Sequence, residues 1–120
     1  MKFSAYSIPG ITDTKEAFFI KTCSIFEQDP VKVRTNNKNR KREYVDIRNV
    51  TIALFRMFLK NPTGDDRMSY AEAGAYFEKD HATAMHSCKT VKNLYDTDKI
   101  FRNKVSGLFK GQTPEFDKMG

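Results

Sequence analysis

An all-helical fold follows from three features of the sequence. Apolar residues recur at three- and four-residue spacing through the candidate segments. Helix-starting residues stand at the head of those segments, and Asp-Pro and Asn-Pro-Thr-Gly breaks separate them. Together they predict about five helices.

Positions 1–12 contain Ser, Pro and Gly and read as an irregular lead-in. From Asp13 the run DTKEAFFIKTCSIFEQ opens with a cap-like Asp and an early Glu, and it sets Phe19, Cys23 and Phe26 at helical spacing. This predicts a first helix over 13–28, ended by Asp29 and Pro30, with a loop VKVRTNNKN after it. Residues 40–60 hold no Gly or Pro. Ile47, Val50, Thr51, Leu54 and Phe58 form one stripe there, and Asn49, Arg56 and Lys60 another. That is a long amphipathic helix, closed by NPTGDD.

A short helix over 69–77 follows. Ser69 and Glu72 have capping-box spacing, and Tyr70, Ala73 and Phe77 make its apolar seam. After Glu78 and Lys79, Asp80 can cap the next helix, with Thr83 at its third position. That helix gathers Ala84, Cys88, Val91 and Tyr95 on one face. Ala82, His86, Lys89 and Asn93 fall opposite, flanked by Thr83 and Met85. A last helix over 97–109 packs Phe101, Val105 and Leu108, and 110–120 reads as a loose tail. Residues 13–109 therefore make one domain, with a helix-turn-helix at about 69–94, a plan in which the second helix enters a major groove.

Composition narrows the function. With 39% hydrophobic residues and ten Phe, the chain has a core without staples, and two Cys are too few for a disulfide framework. No apolar run approaches the roughly 18 residues of a membrane span, and MKFSAYSIPG lacks a signal-peptide core, so a soluble cytoplasmic protein is expected. The net charge of +6 is local: Lys32, Arg34, Lys38, Arg40, Lys41 and Arg42 form a run that holds no acid until Glu43. Such a run neutralises phosphates, or else is a solvated charged loop.

Catalysis has no candidate. No Ser-His-Asp arrangement is legible, and Asp65 with Asp66 reads as a turn. The phosphate-cradling pattern G-x-x-x-x-G-K-[ST] is missing, so neither ATP nor another cofactor is expected. EKDHATAMHSC looks metal-rich, but His81 and His86 are five residues apart and diverge on a helix, and Cys88 lies on the apolar face. No metal, membrane or small-molecule substrate is expected.

The segment SYAEAGAYFEKDHATAMHSCKTVKNLY resembles the helix-turn-helix of domain IV of DnaA, the bacterial chromosomal replication initiator. The matching residues are Ser69, Glu72, Gly74 and Phe77, then Asp80, His81, Thr83, His86, Cys88 and Lys89. Upstream, NRKREYVDIRNVTIALFRMFL is similar to the family's basic loop and long helix, with Arg48 and Asn49 at its Arg–Gln step. The resemblance implies a domain that binds double-stranded DNA, with the recognition helix in the major groove and Arg40 reaching the minor groove. It puts Asp80, His81 and Thr83 at base edges, and Arg56, His86 and Lys89 at or beside phosphates. Asn49 stands for the family's Gln. Lys38 and Arg42 belong to the basic loop.

Physical chemistry offers each residue a second role. Asp80 is a cap in any case, and its carboxylate could also accept from a cytosine amino group. Thr83 meets a thymine methyl or a phosphate, or assists the cap; Lys89 and Arg56 touch phosphate or are solvated charges. Ala82 departs from the family by removing a hydroxyl from the base-reading surface, so the initiator's usual site is not assumed. The reading is a stand-alone DNA-binding module in replication or transcription control, including by a mobile element. The alternative is a module that kept the fold and binds a replication or regulatory protein.

Overall fold

The computed structural model describes residues 14–35 and 40–116. Among them are six helices, α1 (Lys15–Ile25), α2 (Pro30–Thr35), α3 (Arg42–Phe58), α4 (Tyr70–Ala75), α5 (His81–Thr97) and α6 (Lys99–Val105). The fold is all-α, and none of these helices is long and apolar enough to cross a membrane.

The cap of α1 is Thr14, whose Oγ1 accepts from the Ala17 N–H at 3.1 Å; Asp13 lies outside the described residues. The helix ends where Glu27 turns left-handed at φ 57°. The predicted loop after it is instead α2. Asp29 and Pro30 do end one helix, but they also start the next. The Asp29 Oδ1 accepts from the Val31 N–H at 2.9 Å, and proline at the first helical position has no N–H to waste. Val33 anchors this short helix in the core with no exposed surface.

Helix α3 is the scaffold. Its stripe Ile47, Val50, Thr51 and Leu54 is fully buried, with Phe58 half-buried, and α1, α4 and α5 pack around it. Aromatic rings join the layers: Phe55 meets Tyr76 edge-on at 5.1 Å, and Phe19 meets Phe77 at 5.6 Å. The linker after α3 is folded. Lys60 bridges Arg67 in antiparallel fashion, the Met68 N–H donates to the Leu59 carbonyl at 2.9 Å, and the Asn61 side chain accepts from the Gly64 N–H at 2.8 Å.

The α4–α5 junction sets the position of everything that follows. Ser69 Oγ accepts from the Glu72 N–H at 3.1 Å, and the Glu72 carboxylate accepts from the Ser69 N–H at 3.0 Å, completing the capping box. Lys79 returns its N–H to the Gly74 carbonyl at 2.9 Å, which folds the chain back in four residues. A side chain at Gly74 would put Cβ 2.9 Å from the Lys79 carbonyl oxygen and 3.2 Å from the Ala84 Cβ. Only glycine lets α5 start this close to α4.

The C-terminal part differs from its expected form. Asp98 closes α5 and caps α6, accepting from the Phe101 N–H at 3.1 Å. Helix α6 stops at Val105, and turns carry the chain through Lys110 and Gly111, both at positive φ. Phe109 is fully buried. The tail through residue 116 is irregular but packed rather than loose: Pro114 is buried, Phe116 rests on the core, and Glu115 pairs with Lys92 at 3.3 Å. Scattered single contacts hold it, and these carry no periodicity.

Replacing Gly74 by alanine forces backbone to move on both sides of the junction. Chemical denaturation should show a net loss of about 1–3 kcal/mol, the clash outweighing the roughly 1 kcal/mol that alanine gains over glycine in a helix. Unchanged stability would mean the two helices are not held in this close approach.

Candidate nucleic-acid interface

The N-terminal turn of α5 projects from the domain. Asp80 Oδ1 accepts from the Thr83 N–H at 2.8 Å, so the cap is made and His81, Ala82 and Thr83 stay exposed. His86 and Lys89 continue the exposed face, while Ala84, Ser87, Cys88 and Val91 turn inward. The helix thus presents its positive end and a row of polar side chains to solvent. His81 is steadied by Tyr70, whose ring lies edge-on at 5.8 Å.

Beside this face runs an open groove of about 580 Å³ between α3 and α5. Arg40 and Arg48 line one side, Thr83 and His86 the other, with Asn49 at the floor and Lys79 at the turn. Burial lowers the Arg48 pKa from its ordinary value. Asn49 is half-buried, and its Oδ1 accepts from the Ser87 hydroxyl at 2.7 Å. The groove therefore brings together Arg40, Asn49, Thr83 and His86 from the predicted set, and adds Arg48, Lys79 and Ser87.

Arg56 is not part of this surface. Only 5% exposed, it donates from Nη1 to the Met68 carbonyl at 3.1 Å, and its guanidinium lies 4.6 Å from the Tyr70 ring centre. The expected phosphate contact is corrected to a structural one: Arg56 is buried against the end of the folded 61–68 linker, at Met68. Arg56 over the Tyr70 ring, and His81 edge-on to it, tie α3 to the start of α5.

The basic run divides. Arg34 turns back to the body, 3.6 Å from Glu16 and over the Tyr76 ring at 4.2 Å. Arg42 pairs with Asp46 at 3.1 Å but keeps a mostly exposed side chain. Burial raises the Asp46 pKa, and Arg42 offsets part of that rise. Arg40 stays exposed at the groove, and Lys38 lies outside the described residues.

The histidine–cysteine segment opens out rather than converging. Cys88 points into the core, and burial pushes its thiol up to about 12, as it does for Cys23. Among the described residues no three His, Cys, Asp or Glu side chains come together around a possible ion.

Relatives bear on this arrangement. The chain is 37% identical over 87 residues to the chromosomal replication initiator protein DnaA of Bacteroides thetaiotaomicron, 72% of this chain and 17% of that protein. It is 36% identical over 87 residues to DnaA of Bacteroides fragilis, 72% of the chain and 16% of the relative. Against DnaA of Flavobacterium psychrophilum it is 36% identical over 75 residues, 62% and 14%. This chain resembles DnaA. It spans about one-sixth of the length of the DnaA proteins it matches, consistent with their C-terminal domain. No family model matches, and no solved structure does.

Lys79 and Ser87 were missed by sequence reasoning for different reasons. Lys79 sits one residue before the Asp80 cap, where basic charge is unremarkable. Ser87 is polar on an otherwise apolar face, and that mismatch was the available signal.

Asp80 makes a pH prediction. Its carboxyl is held below the usual carboxylate range, first by the Thr83 backbone N–H and next by the Thr83 side chain. A depressed folded pKa means the cap's contribution is present above the unfolded value near 3.9 and is lost as pH falls through the lower folded value. In an NMR acid titration Asp80 should titrate below that reference, and the α5 first-turn amides should lose protection over the same range. Titration at or above the reference would contradict the cap.

Proposed function

We propose that this chain is a DNA-binding module, not an enzyme, that reads a short duplex site with α5 in the major groove. The observation carrying the reading is that the exposed α5 face and the cationic α3–α5 groove lie side by side. The likeness to DnaA, a replication initiator by name, supports it. His81, Ala82 and Thr83 would face base edges from the first turn, since this is the end of the helix that leads into the groove. His86 and Lys89 lie further along and suit phosphates, as do Arg48, Asn49 and Lys79. Arg40, exposed ahead of α3, would enter the adjacent minor groove, with Lys38 and Arg42 supplying charge nearby.

Ala82 offers a methyl group where a hydroxyl would donate or accept, so the base preference should be this chain's own. Such a module serves replication or transcription control, including that of a mobile element.

Fluorescence anisotropy with duplexes selected from a random pool tests this across a salt series. Log affinity should fall with log salt by about 0.9 for each phosphate engaged. Arg40→Ala and Lys89→Ala should each flatten that slope by about one and weaken all duplexes alike, whereas Thr83→Ala should change the preferred sequence by about 1–3 kcal/mol at one position. No measurable duplex binding at low salt would overturn the proposal. Full duplex affinity in the Arg40→Ala, Lys89→Ala double variant would move DNA binding to another surface.

A further inference from the structure

Ser87 stands out on the inner face of α5, between Ala84, Cys88 and Val91. It is 3% exposed, and a buried hydroxyl has to find a partner. The partner is across the helix interface: the Ser87 Oγ–H donates to Asn49 Oδ1 at 2.7 Å. Asn49 itself is half-buried on the floor of the groove. An asparagine there would ordinarily sample both orientations of its amide, because the terminal torsion is broad and roughly two-fold.

The hydrogen bond removes that freedom. With Oδ1 engaged by Ser87, the Nδ2 amide hydrogens are left for another partner, and Asn49 lines the groove. The charged groups lining that groove, Arg40, Arg48 and Lys79, are all cationic. The asparagine oxygen is the side-chain atom whose outward turn would repel an anion, and the Ser87 hydroxyl withdraws it. We propose that Ser87 is a positioning residue that fixes the Asn49 amide, so that its NH₂ donates to a phosphate oxygen of DNA lying in the α3–α5 groove. This rests on the DNA-binding reading given above.

The reverse proton arrangement makes the opposite forecast. If Ser87 gave its proton to the carbonyl four residues back and accepted from Nδ2, the Asn49 oxygen would face the phosphate, and losing the hydroxyl would help binding.

A double-mutant cycle on duplex binding decides the matter, with Ser87→Ala, Asn49→Ala and the pair compared by anisotropy at one salt concentration. Ser87→Ala should weaken binding roughly three- to tenfold in the otherwise native chain, and should have no further effect once Asn49 is alanine. Thermal unfolding of each variant accompanies the cycle. The side-chain NH₂ signals of Asn49 give a second readout: they should shift on DNA addition in the native chain, and do so less in Ser87→Ala. If the native chain binds duplex but Ser87→Ala leaves affinity unchanged or raises it, or if the two losses add, the inference falls while the DNA-binding reading stands. If the native chain binds no duplex, both fall.

Discussion

The close approach of α4 and α5 at Gly74 is the constraint on which the rest of the molecule depends. The Gly74 carbonyl accepts from the Lys79 N–H, and its missing side chain leaves room for the Ala84 methyl and the backbone of Lys79 and Asp80. That packing fixes the direction in which α5 leaves the junction. Once the direction is set, helical periodicity decides that Ala84, Cys88 and Val91 face the core and that His81, Ala82, Thr83, His86 and Lys89 face out. The cost is borne next to it, where Glu78 is held at φ 60°, a conformation that L residues adopt reluctantly.

Positive charge is used in two ways, and the total of +6 conceals the division. Arg34 and Arg56 are turned inward, one over Tyr76 and beside Glu16, the other over Tyr70 and onto the Met68 carbonyl. A guanidinium suits this because its flat face stacks while its edge donates. Arg40, Arg48, Lys79 and Lys89 are arranged differently, along the groove and the exposed flank of α5. Aromatic rings thus hold Arg34 and Arg56 against the fold, while Arg40, Arg48, Lys79 and Lys89 give one face its electrostatic character.

The sequence-legible parts are those that depend on neighbours in the chain. The capping box at Ser69, the Asp80 cap and the buried stripe of α3 all follow from local spacing, and the structure has each of them. The α2 helix escaped because Asp29 and Pro30 carry two local meanings, an ending and a beginning. Arg56 was misplaced because its position on α3 looks solvent-facing until Met68, at the end of the 61–68 linker, and Tyr70 pack against it. The Lys92–Glu115 contact of the packed tail and the Ser87–Asn49 bond join residues 23 and 38 positions apart through single side chains without a repeat, so spacing says nothing of them. Of the candidate site, the α5 face was readable; the groove beside it was not, because two separate helices build it.

The central claim is that the N-terminal face of α5 and the α3–α5 groove form one binding surface. An amide NMR titration with a selected duplex tests it most directly. The account predicts that the largest shifts fall on His81, Ala82, Thr83, His86 and Lys89, with Arg40, Arg48 and Asn49 joining them at the same DNA concentrations. Shifts centred instead on the exposed side chains of Ile25, Val31 or Ile100, with the first turn of α5 unmoved, would contradict it.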